Sequence, residues 1–224
     1  MKIDYIQNII NCYEPMAIFH DLAVAASILE RIDPQTIIEF GTGNAGWLLS
    51  LDHILSNDRK FIGVDNFGWN YGLPWATNAS QLLDIVQQQS SNKNISIIDQ
   101  DVNHIDTDWL DRFGVKFDTV RLDCLETPED ISRFIDIVIP YTSDKCIWLV
   151  DDIAPNISPE RWLSFMEKVF QGVLKPIWFG NKEGAWCRND FDCSGIQQSI
   201  QQLFSAELRF YKRDFRGFPV IQTQ

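Results

Sequence analysis

The chain predicts an α/β fold: a doubly wound, mostly parallel sheet with helices on both faces and an antiparallel C-terminal hairpin. Three observations carry this expectation. Five short apolar runs, "TIIEF", "KFIGVD", "ISIID", "DTVRLD" and "CIWLVD", alternate with amphipathic stretches such as "GWLLSLDHIL", "SQLLDIVQQQ" and "EDISRFIDIVI". Apolar strands alternating with helices need cover on both faces, and a parallel sheet provides it. The later stretch "PIWFGNKEGAWCRN" reads as two strands joined at a turn over Asn181–Gly184. Finally, 224 residues at 45% hydrophobic and 22% charged suit one sizeable core and leave little room for a second.

In chain order, "QNIINCYEPMAIFHDLAVAASILERI" reads as two helical pieces separated near Pro15, the second over about Ala17 to Arg31. Asp33-Pro34 stops it. Thr127-Pro128-Glu129-Asp130 has the form of a helix start, with a capping hydroxyl, a proline and an early acid. Ser158-Pro159-Glu160 repeats it. A helix is expected near "SGIQQSIQQLF", and "RFYKRDFRGFPVIQ" is either a last strand pair or an ordered tail. The expected division is one domain over residues 1–224, with N-terminal helices over 1–33, the core sheet over 34–190 and a C-terminal helix and extension over 191–224.

The net charge of −12 argues against a nucleic-acid surface, which needs basic patches, and against anionic membrane. No apolar run is long enough to span a bilayer, and "MKIDYIQNIINCYEP" lacks a signal-peptide core. The five cysteines are odd in number and form no C-x-x-C, so reduced thiols and a cytoplasmic location are expected.

The loop "GTGNAG" after the first strand is G-x-G-x-x-G in strand–turn–helix context, the mark of a Rossmann-like cofactor site. Ligands of such sheets sit beyond the carboxyl ends of the strands. The residues there are acids: Glu39, Asp65, Asp99, Asp101, Asp123, Asp151 and Asp152. Clustered carboxylates repel unless a cation is near or some keep their protons. A pyrophosphate would meet Glu39 with no Lys or Arg in the loop to offset it. An ammonium and a sulfonium would be attracted, so electrostatics favours S-adenosylmethionine over NAD. Asp65 stands 19 residues beyond Gly46, where a carboxylate accepts both ribose hydroxyls of either cofactor. Arg121 shares strand parity with Asp123 and can pair with one of the acids.

With these residues the chain resembles class I S-adenosylmethionine-dependent methyltransferases over roughly Ile37 to Ile153. "EFGTGNAG" resembles their glycine motif, "FIGVDNF" their second-strand motif and "IIDQDV" their third, while "FDTVRLDCLE" and "IWLVDDI" resemble the fourth and fifth. The resemblance implies a cofactor site built from Glu39, Gly41, Thr42, Gly43, Gly46, Asp65, Asp101 and Val102. The chain is also similar to cation-dependent O-methyltransferases of the catechol, caffeoyl-CoA and macrolide-sugar types. That likeness implies that Asp123, Asp151 and Asp152 hold Mg²⁺ or another divalent ion, with Asp123 and Asp151 separated by 28 residues. Such an ion would orient a substrate hydroxyl and lower its pKa. The catechol-type lysine is replaced by Glu126 and the sugar-type acid by Leu125. The general base is therefore open between Glu126, which otherwise only precedes the helix cap, and His104.

The segment Asn66 to Ser80 is aromatic and glycine-rich; Trp69, Tyr71 and Trp75 would form a lid or substrate wall, or pack as a surface loop or subunit contact. The expected function is divalent-cation-assisted O-methylation of a small-molecule hydroxyl, with no nucleic-acid or membrane partner and homo-oligomerisation left open. Two rivals remain at this level. A NAD-dependent oxidoreductase would share the loop and Asp65, but no catalytic Tyr-Lys pair or second substrate domain is visible. A non-catalytic homologue would bind the cofactor without turnover.

Overall fold

Seven strands form one sheet in the computed structural model, which describes residues 19–55, 59–68, 76–90, 92–180 and 182–203. The first expected helical piece, the aromatic centre of the 66–80 segment, Cys12, Asn181 and the tail beyond residue 203 lie outside the described residues. The strands are β1 (Thr36–Phe40), β2 (Lys60–Asp65), β3 (Ile95–Asp99), β4 (Phe117–Leu122), β5 (Thr142–Val150), β6 (Leu174–Phe179) and β7 (Gly184–Arg188). Their order is β3-β2-β1-β4-β5-β7-β6. Strands β1 to β5 pair in parallel, and β7 runs antiparallel to both β5 and β6. The doubly wound sheet and its C-terminal hairpin are as the sequence predicts.

The helices are α1 (Phe19–Ile32), α2 (Gly46–Leu55), α3 (Ala79–Gln89), α4 (Thr107–Asp111), α5 (Pro128–Val138) and α6 (Pro159–Phe170), and residues 194–203 form α7. Helix α1 spans most of the expected Ala17–Arg31. The two predicted starts are real. Thr127 accepts from Asp130 N at 3.2 Å, and Ser158 accepts from Arg161 N at 3.4 Å. Such a cap contributes about 1 kcal/mol. Helix α4 was not expected; its one turn is closed by Asp106, which accepts from Trp109 N at 2.8 Å.

Strand parity divides the core into two layers. Ile37, Ile147 and Leu149 face α1, α2, α3 and α7. Ile38, Phe40, Val120 and Leu122 face α4, α5 and α6. Glu39 and Arg121 share the parity of Ile37 and Leu149, so two charged residues enter the first layer. They stand opposite each other in the β1–β4 register. The sheet reverses its winding between β1 and β4, and the cleft beyond their ends is where ligands of this architecture sit. Among the described residues, no helix is long and apolar enough to cross a membrane.

Candidate active site

The glycine loop is held from three sides. Gly41 has φ +85° and Gly43 +52°, values open to glycine at little cost. A Cβ on Gly41 would lie 2.6 Å from the Asp123 carbonyl oxygen, so the loop rests directly on the end of β4. Asp65 Oδ2 accepts from Gly43 N at 2.9 Å, and its Oδ1 accepts from Phe67 N at 2.7 Å. Asp65 thereby fixes both the loop after β1 and the turn after β2. Ala45 also takes the left-handed conformation, at φ +59°. Gly46 begins α2 and donates its N–H to Asn44 Oδ1 at 3.0 Å.

Asp101 lies in the turn after β3. Its Oδ1 accepts from Asn103 N at 2.9 Å, its Oδ2 lies 3.4 Å from His104 Nδ1, and Val102 packs into the core beside it. Glu39 points inward and is 1% exposed. Its Oε2 accepts from the Thr42 hydroxyl at 2.7 Å and its Oε1 meets Arg121 Nη1 at 2.6 Å. Glu39 therefore shapes the glycine loop from behind.

Arg121 is the centre of the rim. Its side chain is 7% exposed and lies over the Trp47 ring, 4.9 Å from the centroid. Nη1 also donates to Asp123 Oδ2 at 2.9 Å, and Nη2 donates to Glu183 Oε1 at 3.2 Å and lies 3.5 Å from Asp151 Oδ2. Burial works against the guanidinium, but Asp123, Glu39, Glu183 and Asp151 outweigh it and raise its pKa. Arg121 Nε and Glu183 Oε2 have no hydrogen-bond partner among the described residues.

Glu183 and Lys182 come from the hairpin turn, which no spacing rule connected to the rim. Asp21 on α1 pins that turn by accepting from Lys182 N at 2.8 Å and Glu183 N at 3.3 Å. Lys182 Nζ then lies 2.9 Å from Asp152 Oδ1, an ion-pair contact without hydrogen-bond geometry. The loops after β4 and β5 contain Leu125 at φ +68° and Asp152 at φ +50°, strained values for residues with a Cβ. Arg161 at the start of α6 ties the two loops together, donating from Nε to Leu125 O and from Nη1 to Asp151 O, both at 2.9 Å.

Five carboxylates, Glu39, Asp123, Asp151, Asp152 and Glu183, thus face two cations, Arg121 and Lys182. Protons absorb part of the excess. Burial raises Asp123 to about 7, with Arg121 opposing the rise and Asp151 adding to it. Burial raises Glu183 to about 8, again against Arg121 and with Asp151 assisting. Asp151 is lowered: burial disfavours its charge, but Arg121, Lys182 and a hydrogen bond from Asp123 prevail. Glu126 is exposed, one residue before the Thr127 cap. His104 is also exposed and sits against Asp101.

The Glu183 shift makes stability depend on pH. The folded chain keeps a proton that the unfolded chain releases above about 4.5, so stability falls as pH rises from about 5 to about 8. Calorimetric scans should show Tm falling by about 3–10 °C across that window. Glu183→Gln should flatten much of the fall.

No protein-family model and no curated protein sequence matches the chain. Solved structures do. The calicheamicin methyltransferase CalS11 aligns with a TM-score of 0.60 at 16% identity, over 76% of this chain and 79% of its own. This chain has the fold of a class I methyltransferase. The O-methyltransferase TomG of Streptomyces achromogenes, solved with S-adenosylmethionine, gives 0.57 at 12% identity over 83% and 88%. An O-methyltransferase from Bacillus cereus, solved with S-adenosylhomocysteine, gives 0.55 at 10% identity over 84% and 92%.

The rim fits the cofactor that the methyltransferase resemblance implies, because a glycine loop beside excess carboxylate suits a ligand bearing an ammonium and a sulfonium. The divalent ion fits poorly. Among the described residues, no group of three or more His, Cys, Asp or Glu side chains is placed to hold a metal. Asp123 and Asp151 are paired with Arg121, and Asp152 is paired with Lys182. The Asp123, Asp151 and Asp152 trio expected to hold an ion is instead drawn onto protein cations.

Proposed function

We propose that the chain binds S-adenosylmethionine and catalyses methyl transfer to the hydroxyl of a small molecule. The observation that carries this reading is the excess of carboxylate around a glycine loop at the winding reversal of a class I methyltransferase sheet. Asp65, Asp101, Val102 and the loop Gly41, Thr42, Gly43 and Gly46 would hold the cofactor, with Glu39 bracing the loop. When bound, the cofactor supplies an electrophilic methyl group whose bonding electrons stay on sulfur.

Asp123 is the residue best suited to take the acceptor's proton. Its side chain is 31% exposed, and a pKa near 7 lets it be a free base and a useful acceptor at neutral pH. Glu126 is exposed and stands one residue before the Thr127 cap. The divalent-cation route implied by the resemblance is disfavoured, because Asp123, Asp151 and Asp152 each face a protein cation. The free state of Cys124, Cys146, Cys187 and Cys193 suits a cytoplasmic enzyme.

Methyl-labelled cofactor offered with a panel of phenolic and sugar hydroxyls tests this reading. Label should appear on at least one acceptor, with kcat/KM rising through about pH 7. Asp123→Asn should lower turnover by roughly 10²-fold or more, with cofactor affinity largely kept. Cofactor binding with no transfer to any acceptor would leave a binding protein and not an enzyme.

A further inference from the structure

The similarity to cation-dependent enzymes implies a divalent ion among Asp123, Asp151 and Asp152. Each of these carboxylates instead faces a protein cation. Arg121 Nη1 is 2.9 Å from Asp123 Oδ2, and Nη2 is 3.5 Å from Asp151 Oδ2. Lys182 Nζ is 2.9 Å from Asp152 Oδ1. We propose that Arg121 and Lys182 take the place of a divalent ion in this chain, Arg121 as the buried neutralising charge and Lys182 as the cation open to the acceptor.

The two cations differ in the way this division requires. Arg121 is 7% exposed, braced by Glu39 and Glu183 and stacked over Trp47, so it cannot move aside without stranding buried carboxylates. A guanidinium also stays charged at any pH the protein meets. An ion entering between Asp123 and Asp151 would sit against that fixed positive charge. Lys182 is 35% exposed, and its backbone is fixed on both sides. Asp21 accepts its N–H, and its carbonyl accepts from Ile153 N at 2.8 Å. A fixed, half-open ammonium can donate to an acceptor oxygen and stabilise the negative charge growing there.

This arrangement bears on the acceptor. A chelating Mg²⁺ is satisfied by two neighbouring oxygens, whereas an ammonium is a point donor that needs one. The acceptor class is therefore an isolated hydroxyl, such as a simple phenol, with no requirement for a vicinal oxygen. This part rests on the proposed methyl transfer; the exclusion of the ion rests on the ion pairs alone.

Electron paramagnetic resonance with Mn²⁺ as the probe tests the proposal. The wild-type chain should bind no stoichiometric Mn²⁺ at concentrations up to about 1 mM, a ceiling of weak binding. Lys182→Ala releases Asp152 and should tighten Mn²⁺ binding at least about tenfold, and a folded Arg121→Gln should do the same. One tightly bound Mn²⁺ in the wild type, lost in Asp151→Asn, would overturn the proposal. So would Lys182→Ala with wild-type Mn²⁺ affinity, a result that stands even if Arg121→Gln fails to fold. Calorimetry with S-adenosylhomocysteine in EDTA separates the two readings. Failure to bind there would remove the methyl-transfer reading and leave the Mn²⁺ result in force.

Discussion

Replacing Arg121 by methionine should cost about 3–5 kcal/mol of stability, because it leaves buried carboxylates with no cation. Methionine fills similar space over Trp47, so the loss reports charge more than volume. Glu39 is 1% exposed and would lose its 2.6 Å partner. Glu183 would lose its 3.2 Å partner. At roughly 2–4 °C per kcal/mol for a chain of this size, Tm should fall by about 6–20 °C. The loss should be smaller at pH 5 than at pH 8. At lower pH, Glu183 and Asp123 hold protons and tolerate the missing charge. Thermal unfolding at both pH values reads both effects.

The second large effect is expected at Gly41. A Cβ there would meet the Asp123 carbonyl oxygen at 2.6 Å and its carbonyl carbon at 2.8 Å. Both are backbone atoms, held by the bond from Asp123 N to Phe40 O at 2.8 Å, so they cannot step aside cheaply. At φ +85° the substitution is also strained before any contact is considered. Gly41→Ala should therefore destabilise by about 1–3 kcal/mol and displace the loop from the end of β4. Affinity for S-adenosylhomocysteine should drop by at least about 10²-fold, a loss of roughly 3 kcal/mol in binding. Titration calorimetry on the folded fraction measures it. Gly63→Ala is a useful comparison. Its Cβ would meet side-chain atoms, Thr42 Oγ1 at 2.7 Å and Ile97 Cδ1 at 2.9 Å, but Thr42 Oγ1 donates to Glu39 Oε2, so the insertion should disturb the same loop from the β2 side.

These expectations show which parts of the site the sequence makes legible. The strands were readable because buried parallel strands are continuous apolar runs bounded by polar turns. Strand β5 nevertheless starts at Thr142, before the run "CIWLVD", because Thr142–Lys145 includes polar residues that do not look like a buried strand. The acids at the strand ends were readable for the same geometric reason: a parallel sheet brings every carboxyl end to one edge. The parity of Arg121 with Asp123 pointed to an ion pair, and the β1–β4 register turns that pairing into a link to Glu39.

The hairpin's contribution was hidden. Glu183 lies 62 residues from Arg121 in sequence, and only the antiparallel addition of β7 to β5 brings them together. Arg161 was hidden for a similar reason: from sequence it is an ordinary early residue of a helix, and its role depends on where α6 docks. Glu39 reads from sequence as an open rim acid, yet strand parity turns it inward. The left-handed conformation of Ala45 is also unreadable, since alanine gives no sign of it. The metal trio illustrates the limit of motif matching. Asp123, Asp151 and Asp152 match by position, but each faces a protein cation, Arg121 from within the fourth-strand motif and Lys182 from the hairpin turn that no motif covers.

Binding of S-adenosylhomocysteine, measured by titration calorimetry on the wild-type chain and on Asp65→Ala, tests the central claim most directly. The wild type should bind one equivalent, with NADH giving no heat under the same conditions. Asp65→Ala removes the carboxylate that holds Gly43 N at 2.9 Å and Phe67 N at 2.7 Å, so affinity should fall at least about tenfold. Absence of S-adenosylhomocysteine binding by the folded wild type, or binding of NADH in its place, would contradict the assignment.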